Sequence, residues 1–392
     1  MVENLTSDPW HFPRDALAAS VVGALDSGIV SAITLFAPRR MGKTQFVCTD
    51  LGPLAARKGW LVAYCNLWDD KPNPAGTLVA TLAAAAEPFK PGRRTGKVGV
   101  SASLGIVTAS AEATEEVAAR GAPAHITEAF NEFAHAAARH GKGRRLLLIV
   151  DEIQHLASDR KHEPAAASLR TSLERHAGRV KAVFTGSSQQ GLQRLFLDTR
   201  APFFSPGGQM ELPRLGADFV AFMVERANRT FREKASLADA TRVFEASGYS
   251  PFFLRQAITV ARLRELPLDR ALDVVIEETL NEEALARRWS RLTAVERAVA
   301  LAVMEDKPPF AAASLEELGR AVGKPLKPHQ VQNALLRLER EGFVERAMRG
   351  GYAVADPMVS IWLGRVRRNQ SGVDQRTHVA QDTLVPRLPS PA

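Results

Sequence analysis

Cysteine is close to absent: the 392 residues include two, Cys48 and Cys65, each inside an apolar stretch. That scarcity excludes a disulfide framework and fits a reducing compartment. The nine histidines form neither a C-x-x-C nor an H-x-x-x-H pairing, so no zinc site is read. No run approaches the roughly 18 consecutive apolar residues that a membrane-spanning helix needs. The opening stretch, MVENLTSDPWHFPRDAL, lacks the basic flank and apolar core of a secretory signal. These absences lead to the expectation of a cytoplasmic protein that keeps off membranes. No nuclease, kinase or protease constellation is visible either, so any effector activity is expected of a partner.

What is present is an ordinary globular balance, 45% hydrophobic and 24% charged residues, in a chain long enough for about two or three domains. The formal net charge is +8 and the sequence pI about 9.7. A basic balance favours polyanionic partners, nucleic acid first, although Arg- and Ala-rich proteins carry it without binding DNA.

Helical spacing over 15–28 is followed by IVSAITLF (29–36), a β-branched and apolar run that predicts a buried strand. WLVAYCNL (60–67), RRLLLIVDEIQHL (144–156), VKAVFTGSS (180–188) and GQMELPRL (208–215) predict further strands, separated by helical segments. That alternation means an α/β fold, a parallel sheet covered by helices on both faces. Residues 90–112 are rich in Gly and Ser and alternate like a hairpin. Arg93, Arg94 and Lys97 would give that hairpin a basic tip, or they sit on a solvated loop. From 216 to about 290 the pattern is helical throughout. Beyond it, three helical segments precede FVERAMRGGYAVAD, which reads as strand, Gly-Gly turn and strand. That is the outline of a winged helix. The expected domains are 1–215 for the core, 216–290 for a helical lid, 291–368 for the winged helix and 369–392 for a disordered tail.

The chemistry is concentrated after the first strand, in TLFAPRRMGKTQF. It matches the phosphate loop G-x-x-x-x-G-K-S/T except that Ala37 stands where the first glycine belongs. A loop between a buried strand and a helix N-terminus aims free N–H groups at an anion. Ala37, Pro38, Arg39, Arg40, Met41, Gly42, Lys43, Thr44 and Gln45 form the expected nucleotide cradle. Lys43 reaches the β and γ phosphates and Thr44 offers its hydroxyl to Mg²⁺. A positive φ at Ala37 would cost about 1 kcal/mol. The strand LLLIVDEIQ supplies the other half: Asp151 to hold Mg²⁺, directly or through water, and Glu152 to orient and deprotonate the attacking water. Ser187 and Ser188, at the next strand end, either sense the γ phosphate or cap the following helix. Arg200, and less so Arg194, are candidates for an arginine that acts across a subunit interface. Trp10, His11 and Phe12 either stack on the base or staple the N-terminus.

PRRMGKT, VDEIQHL and FTGSS, in this order, resemble the archaeal-type P-loop ATPases of the STAND branch near AAA+ proteins, relatives of the origin-recognition initiator ATPases. SGYSPFFLRQA (247–257) resembles the STAND G-x-P element, with Pro251 near the adenine and one extra residue between Gly248 and the proline. The resemblance covers about 12–365. It implies an AAA+-like ATPase core with lid and winged helix, ATP and Mg²⁺ as cofactors, and hydrolysis of ATP to ADP and phosphate. No N-K-x-D guanine-reading motif is present. The resemblance also implies a nucleotide-controlled switch that forms a homo-oligomer when ATP is bound. Double-stranded DNA is the expected partner of the winged helix, through Lys327, His329, Gln330, Arg346 and Arg349, with Lys324 and Gln332 nearby. Glu339 and Glu341 on the same helix oppose phosphate contact. The alternative is a signalling switch whose winged helix holds a protein partner or locks the ATPase, without DNA. A non-hydrolysing scaffold is the third reading, and Glu152 argues against it.

Overall fold

The computed structural model describes residues 8–89, 106–108, 125–139, 145–157, 159–187, 191–192, 195, 208–232, 234–279, 282–347 and 351–367. Two compact units divide the chain, Met1–Leu237 and Ala238–Ala392.

Among its described residues the first unit is built on six strands: β1 (Ala32–Phe36), β2 (Leu61–Asn66), β3 (Ile106–Thr108), β4 (Leu146–Asp151), β5 (Val180–Gly186) and β6 (Gly208–Glu211). They lie in the order β3-β2-β4-β5-β1-β6, and every pairing is parallel. Side chains alternate between faces, and here both faces are apolar, which is why the central strands read as unbroken hydrophobic runs. Phe36, Ala63, Leu148 and Phe184 pack on one face against Leu82, Phe130 and Leu169 of the helices Pro74–Ala86, Ile126–Arg139 and Glu163–Arg175. Ile33, Leu35, Val62, Ile149 and Val183 pack on the other against Val22 and Leu25 of the helix Asp15–Asp26 and Val47 and Leu51 of the helical segment after β1.

The expected strand 29–36 starts only at Ala32. Gly28, at φ 79°, turns the chain out of its helix, and Ile29 is left 84% exposed. In the segment expected to be a hairpin, the described residues Ile106–Thr108 instead pair in parallel with Val62–Tyr64. Alternation reports a half-buried strand but not the direction of its partner. The rest of 90–112, with Arg93, Arg94 and Lys97, lies outside the described residues.

In the second unit the helices Pro251–Leu263, Leu268–Thr279 and Glu282–Ser290 precede Ala294–Met304, Ala312–Val322 and Pro328–Arg340. The antiparallel strands β7 (Val344–Arg346) and β8 (Tyr352–Val354) follow, then a helix over 357–367. Trp362 from that helix meets Trp289 edge-on at 5.5 Å and Phe343 at 6.2 Å. Arg365 pairs with Glu282 at 2.6 Å and Asp273 at 3.3 Å. Thr293 and Glu296 close a capping box on Ala294–Met304. Among the described residues no helix is long and apolar enough to cross a membrane. The segment 369–392 lies outside them.

Candidate functional site

The strand order sets the site. β5 lies between β4 and β1, so the loop after β1, the acids ending β4 and the serine after β5 emerge side by side at the carboxyl edge, where open α/β sheets bind ligands. Ala37 leaves β1 buried, and its N–H donates to the Gly186 carbonyl at 3.3 Å. It does not take the positive φ that would penalise alanine; Arg40 (φ 63°) and Gly42 (φ 85°) do. The missing glycine therefore costs nothing at Ala37, and the strained non-glycine residue of the loop is Arg40.

Lys43 is 5% exposed. Its ammonium folds into the loop and donates to the carbonyls of Ala37 at 2.8 Å and Pro38 at 3.0 Å. Met41 is buried and Arg39 exposed. The Arg14 guanidinium donates to the Met41 carbonyl at 3.3 Å and to that of Pro213 at 2.8 Å, which fixes the loop from outside. Gln45 donates to Asp8 at 3.4 Å. The helix that begins at Lys43–Gln45 widens into a π turn over Phe46–Leu51 before Gly52–Arg57, a feature common beside functional sites.

Asp151 is 1% exposed. Its Oδ2 accepts from Thr44 Oγ1 at 2.5 Å and from Tyr64 Oη at 3.1 Å, and its Oδ1 accepts from Thr185 Oγ1. Burial, then the Asp151 charge, pushes the Tyr64 hydroxyl up and the Cys48 thiol up to about 12. Both stay protonated, so Tyr64 remains a donor. Thr44 and Asp151, expected as the Mg²⁺ pair, are thus brought together. One carboxylate and one hydroxyl suit Mg²⁺, which keeps several waters and takes further oxygens from substrate phosphates. Among the described residues no group of three or more His, Cys, Asp or Glu gathers as a metal cage.

Glu152 sits at φ 57°, with its N–H 3.3 Å from Thr185 Oγ1. Its Oε2 accepts from Ser187 Oγ at 2.6 Å and from Gln154 Nε2. Gln154 Nε2 also donates to Ser187 Oγ at 3.2 Å. Ser187 is therefore tied to the acid, while Ser188, Arg194 and Arg200 lie outside the described residues.

The sequence reading missed Tyr64, Thr185 and Gln154; of the three, only Gln154 carried a signal, a polar residue two positions after Glu152 in DEIQ. It also missed an aromatic cluster beside the loop. Trp68, 39% exposed, has the Arg39 guanidinium 4.8 Å and the Lys71 ammonium 3.3 Å from its ring centre. His155 meets it edge-on at 5.1 Å. Burial lowers the His155 pKa against the pull of Glu152, and Lys71 and Arg39 lower it further.

Of the N-terminal rings, Phe12 packs edge-on against Phe219 and Phe222 at 5.7 and 5.4 Å, and Trp10 lies 6.4 Å from Phe231. His11 Nε2 is 2.6 Å from Asp50 Oδ1. These are the contacts of a staple. In the second unit Pro251 opens its helix after Gly248 (φ 66°) and Tyr249 (φ 59°). The residues expected to meet DNA divide. Lys327 and His329 are exposed. The Gln330 side-chain oxygen accepts from Lys327 N at 2.9 Å, capping its own helix. Arg346 lies 3.9 Å from Glu339. Arg349 lies outside the described residues.

No protein-family model matches the chain, and no curated protein matches it by sequence. Solved structures do. A Walker-type ATPase of Pyrococcus abyssi superposes with a TM-score of 0.62 at 17% identity, over 93% of this chain and 99% of that one. The ORC2 protein of Aeropyrum pernix, in its ADP form, superposes with a TM-score of 0.52 at 15% identity, over 91% and 93%. At these identities the likeness concerns the fold, and it spans nearly the whole of both chains: this protein has the α/β fold of that Walker-type ATPase and of the ORC2 protein.

Proposed function

We propose that the protein binds ATP with Mg²⁺ and hydrolyses it, as a nucleotide-controlled switch. The observation that carries this reading is the convergence of Lys43, Thr44, Asp151, Glu152 and Ser187 on one stretch of the sheet's carboxyl edge, with Thr44 and Asp151 in hydrogen-bond contact at 2.5 Å. Lys43, held inside the loop by two main-chain carbonyls, is the charge that phosphate oxygens would take over. The N–H groups from Gly42 into the helix add the dipole that favours an anion. Mg²⁺, held by Thr44 and Asp151, would neutralise charge developing on the β and γ phosphates. Glu152 would orient the attacking water and take its proton. Ser187 would hydrogen-bond the γ phosphate.

The further parts of the reading rest on the resemblance. A homo-oligomer forms on ATP binding, with Arg200 reaching the neighbour's nucleotide. Pro251 lies near the adenine. The second unit acts as lid and winged helix, and its exposed Lys327 and His329 meet double-stranded DNA. A second reading, in which that unit holds a protein partner that carries effector activity, is favoured by one observation: Gln330 and Arg346 are already engaged within the unit.

Two experiments test these readings. Lys43→Ala should lower Mg-ATP affinity at least ~100-fold in equilibrium binding and abolish phosphate release; a variant that binds and hydrolyses like wild type contradicts the site. Duplex DNA should bind with an affinity that falls steeply with salt, about one power per phosphate neutralised. Binding that is absent at low salt shifts the assignment to the protein partner.

A further inference from the structure

Gln154 belongs to none of the roles assigned so far, yet it touches two of the groups that carry them. It is 8% exposed and follows β4 in the short 3-10 turn Ile153–Ala157. Its amide nitrogen forks, donating to both Glu152 Oε2 and Ser187 Oγ, the latter 3.2 Å away. Ser187 in turn donates to the same Glu152 oxygen at 2.6 Å. Three side chains from the ends of two neighbouring strands close a small ring. Gln154 Oε1 is buried and has no hydrogen-bond partner among the described residues. A Cβ at Gly186 would stand 2.9 Å from that oxygen, so the glycine ending β5 is what leaves room for it. A buried carbonyl oxygen without a donor is destabilising. Packing therefore does not explain a glutamine here; a leucine of similar size would fill the space without that cost.

We propose that Gln154 is a positioning residue that couples Ser187 to Glu152, so that the base is brought to bear on water only when Ser187 turns to the γ phosphate. The proposal rests on the ATPase reading above. Its physical basis is proton counting. A serine hydroxyl has one proton and can donate it once. Without nucleotide, that proton lies on Glu152 Oε2, where the Gln154 N–H also lands, so both acceptor directions of that oxygen are occupied. A γ-phosphate oxygen competes for the same hydroxyl proton. When the serine donates to phosphate, Glu152 Oε2 loses one donor and becomes a stronger acceptor for water. Ser187 Oγ still accepts from Gln154, and Glu152 is still held by the other arm of the fork. Gln154 thus keeps base and sensor at a fixed separation while the proton moves. No bond is made or broken in this step beyond the exchange of one hydrogen-bond acceptor for another.

The test uses the full-length protein and steady-state phosphate release with Mg-ATP. Gln154→Leu removes both arms of the fork at nearly constant volume; Gln154→His keeps a ring N–H. Gln154→Leu should lower kcat ~10- to 100-fold with KM and the affinity for a non-hydrolysable ATP analogue within about threefold of wild type, as expected for lost orientation of a general base. Its thermal midpoint should equal or exceed that of wild type. Gln154→His should recover part of kcat. Ser187→Ala and Gln154→Leu should combine non-additively, the double variant being little slower than the slower single one, because both act through one ring. A kcat for Gln154→Leu within twofold of wild type, a rise in kcat, or full additivity with Ser187→Ala would each overturn the proposal. The wild-type and Glu152→Gln controls separate the two claims: if Glu152→Gln abolishes turnover and Gln154→Leu leaves it intact, the ATPase reading stands and the coupling fails. A wild-type chain without turnover overturns both.

Discussion

The two units use polar side chains in opposite ways. At the carboxyl edge of the first, Thr44, Tyr64 and Thr185 are aimed at Asp151, and Ser187 and Gln154 at Glu152. Both acids are gathered where the sheet opens, and among the described residues neither is neutralised by a lysine or arginine ion pair. In the second unit the polar groups complete secondary structure or tie elements together: the Thr293–Glu296 capping box, Gln330 on its own helix start, Arg288 donating to the Glu341 carbonyl at 2.7 Å, and Arg365 on Asp273 and Glu282. A carboxylate held by neutral hydroxyls keeps its charge for a cation or a proton. A carboxylate paired with arginine or folded into a cap has spent it on the fold. By this criterion the hydrolytic chemistry belongs to the first unit, and substitutions of these capping and packing groups in the second should register chiefly in stability.

The largest expected effect tests that division. Trp362→Ala removes a side chain that is 6% exposed and contacts Trp289 and Phe343. It should cost about 3–5 kcal/mol of stability in urea unfolding while leaving Mg-ATP affinity of the folded protein within twofold. A tenfold affinity loss would show that this aromatic packing does more than hold the second unit folded. Next, Thr44→Ala should weaken Mg-ATP binding ~30-fold or more and change stability by under ~1 kcal/mol, since Tyr64 and Thr185 still serve Asp151; a large drop in unfolding free energy would mean that Thr44 is structural. Glu296→Ala, which opens the capping box, should cost about 1 kcal/mol with turnover unchanged.

The smallest effect follows from pH. Burial is the leading cause holding His155, His162 and His176 below the ordinary histidine pKa of 6.5. A histidine with a lowered folded-state pKa binds its proton more readily when unfolded. Unfolding therefore takes up protons as pH falls through 6.5, and stability declines on that side. Unfolding free energies measured from pH 7.5 to 5.5 should fall, and His155→Gln should flatten the slope; a flat wild-type profile would contradict the burial of these rings.

Much of the first unit was legible because its signals are contiguous. Buried parallel strands need apolar residues on both faces, so β1, β2, β4 and β5 stand out as runs, and a phosphate loop is written in eight adjacent residues. Strand ends were legible less well. Ile29 and Val30 look like strand but follow Gly28 in a turn. β3 was misread because alternation carries no information about the partner strand. At the site, Lys43, Thr44, Asp151 and Glu152 were readable from motif chemistry. Tyr64, Thr185 and Gln154 were not, because their parts depend on strand order: Tyr64 and Thr185 serve Asp151 only because β2 and β5 flank β4. The left-handed backbone at Arg40 and Glu152 was hidden for a related reason, since neither residue type favours it and only the surrounding structure imposes it.

The most direct test of the central claim is steady-state phosphate release with Mg-ATP by wild type and Glu152→Gln, alongside binding of the nucleotide to both. Glu152→Gln should retain Mg-ATP affinity within a few fold and lose turnover by ~100-fold or more. Equal turnover in the two proteins would contradict the assignment of Glu152 as the base and, with it, the reading of this sheet edge as a hydrolytic site.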